Sequence, residues 1–396
     1  MEKKKAGTII VLLIIVGAAG TGGFLAWYFL TGQQYPPCTT ATPFTAFPVN
    51  MTRLNTITPL GNLNPPGHTF PTDHMYFNCN ASYPDGFQVF APGAITITRL
   101  DRVNYNPPQV LNITDDYTIE FRACRELTGR FGHVNNLSAL LWSKITPFGS
   151  AGDRVETYTI AGRVYTSYQK DVSIAVPAGE LLGMAGIGGG YDFWLKDSRV
   201  SLSWVNQDWT RQFQNTVCPL DYFTPALKTV METYLRNWDQ TPVDPANYCG
   251  KIAFDVAGTS QGIWTRGDYS PSGSTRAEEI GLALVRSNFN ASVGAISIGI
   301  AGSSSGTHGW DEHVYTFTPT HSGLCNRDFK EVMPGASIYF YFCDQFGAPG
   351  SYTKAILLKM VDASHVRIQF VDNGGTPLPA DPAAYWSEAA SIVYTR

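Results

Sequence analysis

The sequence predicts a mainly β protein: an N-terminal transmembrane helix, an antiparallel β domain, a short helical connector and a C-terminal β-barrel-like or sandwich domain. Three observations carry this. Charged residues make up only 15% of the 396 positions, against roughly 25% in an average soluble domain. The 38 glycines and 25 prolines disfavour long helices and mark frequent turns. Between them recur short runs of β-branched and aromatic residues, the pattern of antiparallel strands. With 44% hydrophobic residues the chain has ample core material, and at roughly 150 residues per domain its length implies two or three domains. A net charge of −4 leaves no basic field, which excludes nucleic acid as a partner.

Lys3, Lys4 and Lys5 precede an uncharged run whose apolar heart is Thr8 to Leu30. As a helix it would measure about 34 Å, enough to cross a bilayer core of roughly 30 Å. Residues 1–31 are therefore expected as a cytoplasmic stub and a membrane anchor through residues 8–30, with the lysines inside and the rest of the chain outside the cytoplasm. A signal peptide cut between Gly17 and Gly23 is the rival reading. Residues 32–48, with their Tyr35-Pro-Pro-Cys38 and Thr-rich stretch, read as an extended stalk.

From 49 to 205 the candidate strands are Gln88–Phe90, Ala94–Leu100, Tyr117–Ala123, Arg154–Tyr158, Asp171–Val176 and Phe193–Leu195. In the connector, 206–248, apolar residues from Leu220 to Leu235 recur at three- and four-residue steps and predict an amphipathic helix over Pro219–Trp238. From 249 to 396 the strands are Lys251–Val256, Gly262–Thr265, Ile280–Arg286, Ala295–Ile300, His313–Phe317, Ser337–Cys343, Lys354–Val361, His365–Val371 and Ser391–Tyr394. So many strands with so little helix suggest a closed up-and-down barrel or a sandwich. The opening Gly262-Ile-Trp264 resembles the Gly-x-Trp at the start of lipocalin-type barrels.

All seven cysteines follow the expected anchor and fit an oxidising exterior. No Cys-x-x-Cys pair is present. Sequence order favours Cys79–Cys124, Cys218–Cys249 and Cys325–Cys343 as disulfides, with Cys38 left over, among the several connectivities that six cysteines allow. Glycosylation sequons begin at Asn50, Asn80, Asn112, Asn136 and Asn290.

The chain lacks an HExxH helix, a phosphate-binding loop and a dinucleotide fingerprint. What stands out is an ordered set in its first half: His68-Thr-Phe-Pro-Thr-Asp73-His74, then Val89-Phe-Ala-Pro92-Gly93-Ala-Ile95, Phe131-Gly-His133-Val, and Gly186-Ile-Gly-Gly-Gly-Tyr-Asp192-Phe193. That succession resembles the lysostaphin-like (LytM-type) zinc endopeptidases, which cut peptidoglycan cross-links, over about Asn55 to Leu202. The resemblance implies zinc as cofactor, with His68, Asp73 and Asp192 at the ligand positions and His133 at a catalytic position. It departs at the closing motif. Gly190-Tyr191-Asp192-Phe193 stands where the family has His-x-His-Phe, which removes one catalytic histidine and puts an aspartate at the third ligand. His74, next to Asp73 on a strand, is expected to point to the opposite face.

The leading expectation is a degenerate peptidase-like β domain used for binding or assembly, with a cell-envelope polymer or another surface protein as partner. An active zinc endopeptidase acting on envelope polymers is the alternative. A small-ligand carrier built on the C-terminal barrel is the third.

Overall fold

The computed structural model describes residues 35–396 apart from 107, 109–112, 161–162, 188, 206–209, 238, 267–279 and 300–311. The expected anchor Thr8–Leu30 and the sequon at Asn112 lie outside the described residues. Strand accounts for 42% and helix for 12%. The first antiparallel sheet comprises β1 (Leu54–Thr58), β2 (His74–Cys79), β3 (Phe87–Phe90), β4 (Ile95–Asn106), β5 (Asp115–Arg122), β6 (Leu127–Leu137), β7 (Arg154–Ile160), β8 (Arg163–Val176), β9 (Leu181–Ala185) and β10 (Gly190–Asp197). Its main path runs β1-β2-β10-β6-β5-β4-β8-β7, with β9 bridging β3 and β6.

Strict alternation gives this sheet two unlike faces. On β5, Tyr117, Ile119 and Phe121 are buried while Asp116, Thr118, Glu120 and Arg122 are half-exposed. On β10, Tyr191, Phe193 and Leu195 enter the core while Trp194 and Lys196 stay on the outer face. The core is aromatic: the Phe193 ring lies 4.8 Å from Phe131, 6.1 Å from Phe77 and 6.3 Å from Phe44.

Phe44 belongs to the segment expected as a stalk. Where described, that segment packs on the sheet instead: Phe44 is fully buried, its N–H donates to Tyr222 O, and Cys38 is disulfide-bonded to Cys124. The expected Cys79–Cys124 pair is thereby corrected. Cys218–Cys249 forms as expected, and Cys79, Cys325 and Cys343 are free. Cys79 sits on β2, across Gly186 from Phe87, while Cys124 faces the incoming chain.

The helix expected over Pro219–Trp238 is divided. A 3-10 turn spans Pro219–Tyr222, and the α-helix runs only from Pro225 to Glu232. Proline has no N–H to donate and favours the first helical turn, so Pro225 starts a helix rather than continuing one. After that helix the chain pairs with β1, Ile57 N–H donating to Tyr234 O at 2.7 Å. Lys251–Val256, expected as a strand, is irregular. Its polar groups bond elsewhere: Asp255 accepts from Val205 and Ile263 N–H, and Gln261 donates to Phe254 O.

The expected single-pass membrane placement is corrected: among the described residues no helix is long and apolar enough to cross a membrane. The two disulfides fit an oxidising environment.

The second sheet is an eight-stranded meander: β11 (Gly262–Arg266), β12 (Gly281–Arg286), β13 (Gly294–Ile298), β14 (His313–Phe317), β15 (Tyr339–Tyr341), β16 (Lys354–Asp362), β17 (His365–Asp372) and β18 (Ile392–Thr395). Consecutive strands pair within β11–β14 and within β15–β18, and β18 returns to β11, so the sheet nearly closes as a barrel with a seam between β14 and β15. The turn Asp344–Phe346 covers that seam, Gln345 Oε1 accepting from Thr316 N–H at 3.1 Å. Trp264, Leu284, Ile296, Phe317, Ile356 and Ile368 fill the interior. The Arg396 guanidinium lies 4.1 Å from the Trp264 ring centroid and donates to the carbonyls of Val256, Thr259 and Gln261.

Candidate functional site

The outer face of β2, β10 and β6 carries a row of alternating carboxylates and imidazoles. Register places Trp194 between His74 and Arg130, and Asp192 between Tyr76 and Gly132. Asp192 is buried, and both flanking rings turn their Nε2 toward its Oδ2, His133 at 3.3 Å and His74 at 3.6 Å. Each ring is fixed from behind. Asp73 Oδ1 lies 3.1 Å from His74 Nδ1 and also accepts from Trp194 Nε1 at 2.7 Å. Asp116 Oδ2 lies 2.6 Å from His133 Nδ1 and accepts from the Tyr105 hydroxyl at 2.9 Å. The order is Asp73–His74–Asp192–His133–Asp116.

A bulge brings His133 to this face. Tyr117 is opposite Val134 and Ile119 is opposite Phe131, so Gly132 and His133 share the place of one residue. His133 has φ +58, in the left-handed region. Without the extra residue, alternation would send its ring into the core beside Phe131 and Val134. Gly132 is also required: a Cβ there would sit 2.7 Å from the Trp194 ring.

The electrostatics follow from crowding. Burial pushes the Asp192 carboxyl above the usual carboxylate range, opposed by His74 and His133. At Asp73 burial also pushes upward, but the His74 hydrogen bond and charge outweigh it and the pKa is lowered. At His133 desolvation pulls downward, and the Asp116 hydrogen bond with the Asp192 and Asp116 charges overcomes it, raising the pKa to about 9. A histidine whose folded pKa lies above its unfolded value stabilises the fold fully below about pH 6.5, and that contribution is lost as pH rises through about 9. Thermal melts from pH 6 to 10 should therefore show a loss of stability over this window that Asp116→Asn flattens, with the His133 ring titrating near pH 9 by NMR. A His133 titration near 6.5 would contradict the assignment.

All four residues singled out from sequence lie in this neighbourhood. His68 closes a turn in which Asn64 and His68 exchange backbone hydrogen bonds, and its ring centroid is 5.3 Å from that of His74. His74 was expected to face away from Asp73, yet it contacts both Asp73 and Asp192. Asp73 precedes the strand that His74 begins, so strand alternation does not separate them. Sequence reasoning also missed Asp116 and Trp194 as partners; only the Asp116-x-x-x-Glu120 alternation ahead of His133 hints at the former.

The expected zinc ligands do not fit as a set in this arrangement. Asp73 Oδ1 is already engaged by His74 and Trp194. Among the described residues, the groups of three whose ligand atoms lie within 4.8 Å of one another are Cys38–Cys124–Glu126 and His321–Asp328–Glu331. The first contains a disulfide. In the second, Asp328 is paired with Arg286 and Lys330, and Glu331 with Arg327.

Beside the row, a groove of about 710 Å³ crosses the sheet from His68, Asp73 and His74 over Trp194 and Arg130 to Glu120 and Arg122. A larger cavity of about 990 Å³ lies near the disulfides. Of its two cations, Arg199 is clamped on Asp197 at 2.6 Å and Lys251 lies 5.4 Å from the Phe254 ring centroid, so the groove is the chemically distinctive concavity. Comparison with protein-family models, curated proteins and solved structures yields no match.

Proposed function

We propose that this chain is a binding protein of an oxidising environment, whose first β domain is a degenerate lysostaphin-like fold holding a cell-envelope polymer or another surface protein. The groove over β2, β10, β6 and β5 is the observation that carries the reading: it is long, open on one face and floored by rigid strands. Two features support binding over hydrolysis. Gly190 leaves the expected second catalytic histidine missing, and the Asp73 carboxylate is already engaged by His74 and Trp194. The barrel interior is occupied by buried side chains, which disfavours a small-ligand carrier.

Thr128 lies in the groove floor, opposite both Lys196 and Arg122. Thr128→Trp would fill the groove whatever its occupant. The chain is expected to be retained on purified peptidoglycan sacculi, and the filled variant, matched in thermal stability, to be retained at least about tenfold less, a difference of about 1.4 kcal/mol. Absent retention, or equal retention of both proteins, would sink the envelope reading.

A further inference from the structure

We propose that the groove recognises an acidic peptide in extended conformation, through Arg122, Arg130 and Lys196; this rests on the groove being the binding site. The three cations come from adjacent strands, and register sets their pattern. Lys196, Thr128 and Arg122 form one cross-strand row, and Trp194, Arg130 and Glu120 form the next row on the same face. Strands lie about 4.8 Å apart and rise about 3.4 Å per residue, so the two rows are separated by about 6.8 Å along the strands. That is also the spacing of alternate side chains in an extended peptide. Carboxylates at alternate positions would meet the first row and then the second.

The wall has positive charge left over. Lys196 and Arg122 form no ion pair among the described residues: the Lys196 charge acts on Asp73 only from beyond ion-pair distance, and Arg122 donates to the Arg125 carbonyl. Of the two carboxylates lining the groove, Glu120 accepts a 2.5 Å bond from Arg99 and Asp73 is taken by His74 and Trp194. Arg130 keeps only a 3.9 Å approach to Glu120. A basic groove in a chain of net charge −4 is a local feature that attracts carboxylates.

A sugar polymer fits less well because the aromatic faces are taken. The Trp194 ring has His74 at 4.3 Å and the Arg130 guanidinium at 4.9 Å, and Arg122 lies 5.0 Å from the Tyr35 centroid. Phe121 is buried and Phe213 packs toward Trp204.

Fluorescence anisotropy of the full chain with labelled hexaglutamate, hexalysine, a neutral Gly-Ser hexapeptide and an oligogalacturonide tests this. Hexaglutamate should bind at least about tenfold tighter than the other three. Raising salt from about 50 to about 500 mM should weaken it several-fold. Lys196→Gln and Arg130→Gln should each cost about tenfold, while Lys196→Arg retains binding and shows that charge, not folding, is being read. No hexaglutamate binding, equal binding of the neutral peptide, tighter oligogalacturonide binding, or indifference to Lys196→Gln would each overturn the acidic-peptide assignment. Thr128→Trp separates the two levels. If it leaves every probe bound, the groove itself is not the site; if it blocks a neutral or sugar probe that Lys196→Gln does not affect, the groove stands and the inference falls.

Discussion

Replacing Cys38 and Cys124 by serine should cost about 4–5 kcal/mol, the largest stability effect expected of any covalent change in this chain. The bridge spans 86 residues, and the restriction a cross-link places on the unfolded chain grows with the logarithm of the loop it closes. Cys218–Cys249, at a separation of 31, should contribute about 3–4 kcal/mol on the same reasoning. The native state adds to the first figure, because Cys38 N–H donates to Glu126 Oε2 at 2.8 Å and the following residues carry Phe44 into the core. Urea denaturation of the double serine variant, with and without reductant, measures the effect. Reductant should bring the wild type down at least to the variant. A cost below about 1 kcal/mol, or a peptide map joining Cys79 to Cys124, would contradict the structure. The same map should leave three free thiols, with Cys343 slowest to react because burial pushes its pKa up.

Phe193→Ala is expected to destabilise the fold by about 3–5 kcal/mol, the range for deleting a buried phenyl ring and leaving a cavity. Phe193 is fully buried, touching Phe131 most closely, and stands at the crossing of the expected stalk, β2, β6 and the Phe223 segment. Its neighbours Asp192 and Trp194 point the other way, so loss of packing on the core side should loosen the site on the outer side. Thermal melts and groove occupancy should fall together. Val155→Ala, at a position 52% exposed, should stay within about 0.5 kcal/mol. A Phe193→Ala variant as stable as the wild type would mean that the aromatic cluster is not the centre of this core.

The strands most legible in the sequence were those that form unbroken runs of apolar and β-branched residues between turn signals. β14 begins and ends where the pattern His313–Phe317 indicates, and β16 and β17 differ from expectation by one residue each. β6 was not legible, because Gly129, Gly132, Asn135 and Asn136 interrupt its apolar pattern. Those residues have structural roles: a Cβ at Gly129 would fall 2.1 Å from the Phe121 ring, and Asn135 caps the Ile187 N–H. The site was half legible. The order of His68, Asp73, His133 and Asp192 drew attention to the face on which His133 and His74 turn toward Asp192, while His74 was set aside by applying alternation across a strand boundary.

The sequence by itself determined the mainly β class, the two-faced strands and the succession of the C-terminal meander, because each of these follows from patterns within a dozen residues and from neighbours joined by short turns. Only the tertiary structure decided which distant strands lie side by side, that Cys38 rather than Cys79 meets Cys124, and that two histidines converge on Asp192. Asp73 and Trp194 are 121 residues apart, and alternation states which face a side chain occupies but not which strand will lie beside it. That choice is made by packing the whole aromatic core at once, and a one-residue bulge at His133 is enough to move a ring from the core to the site.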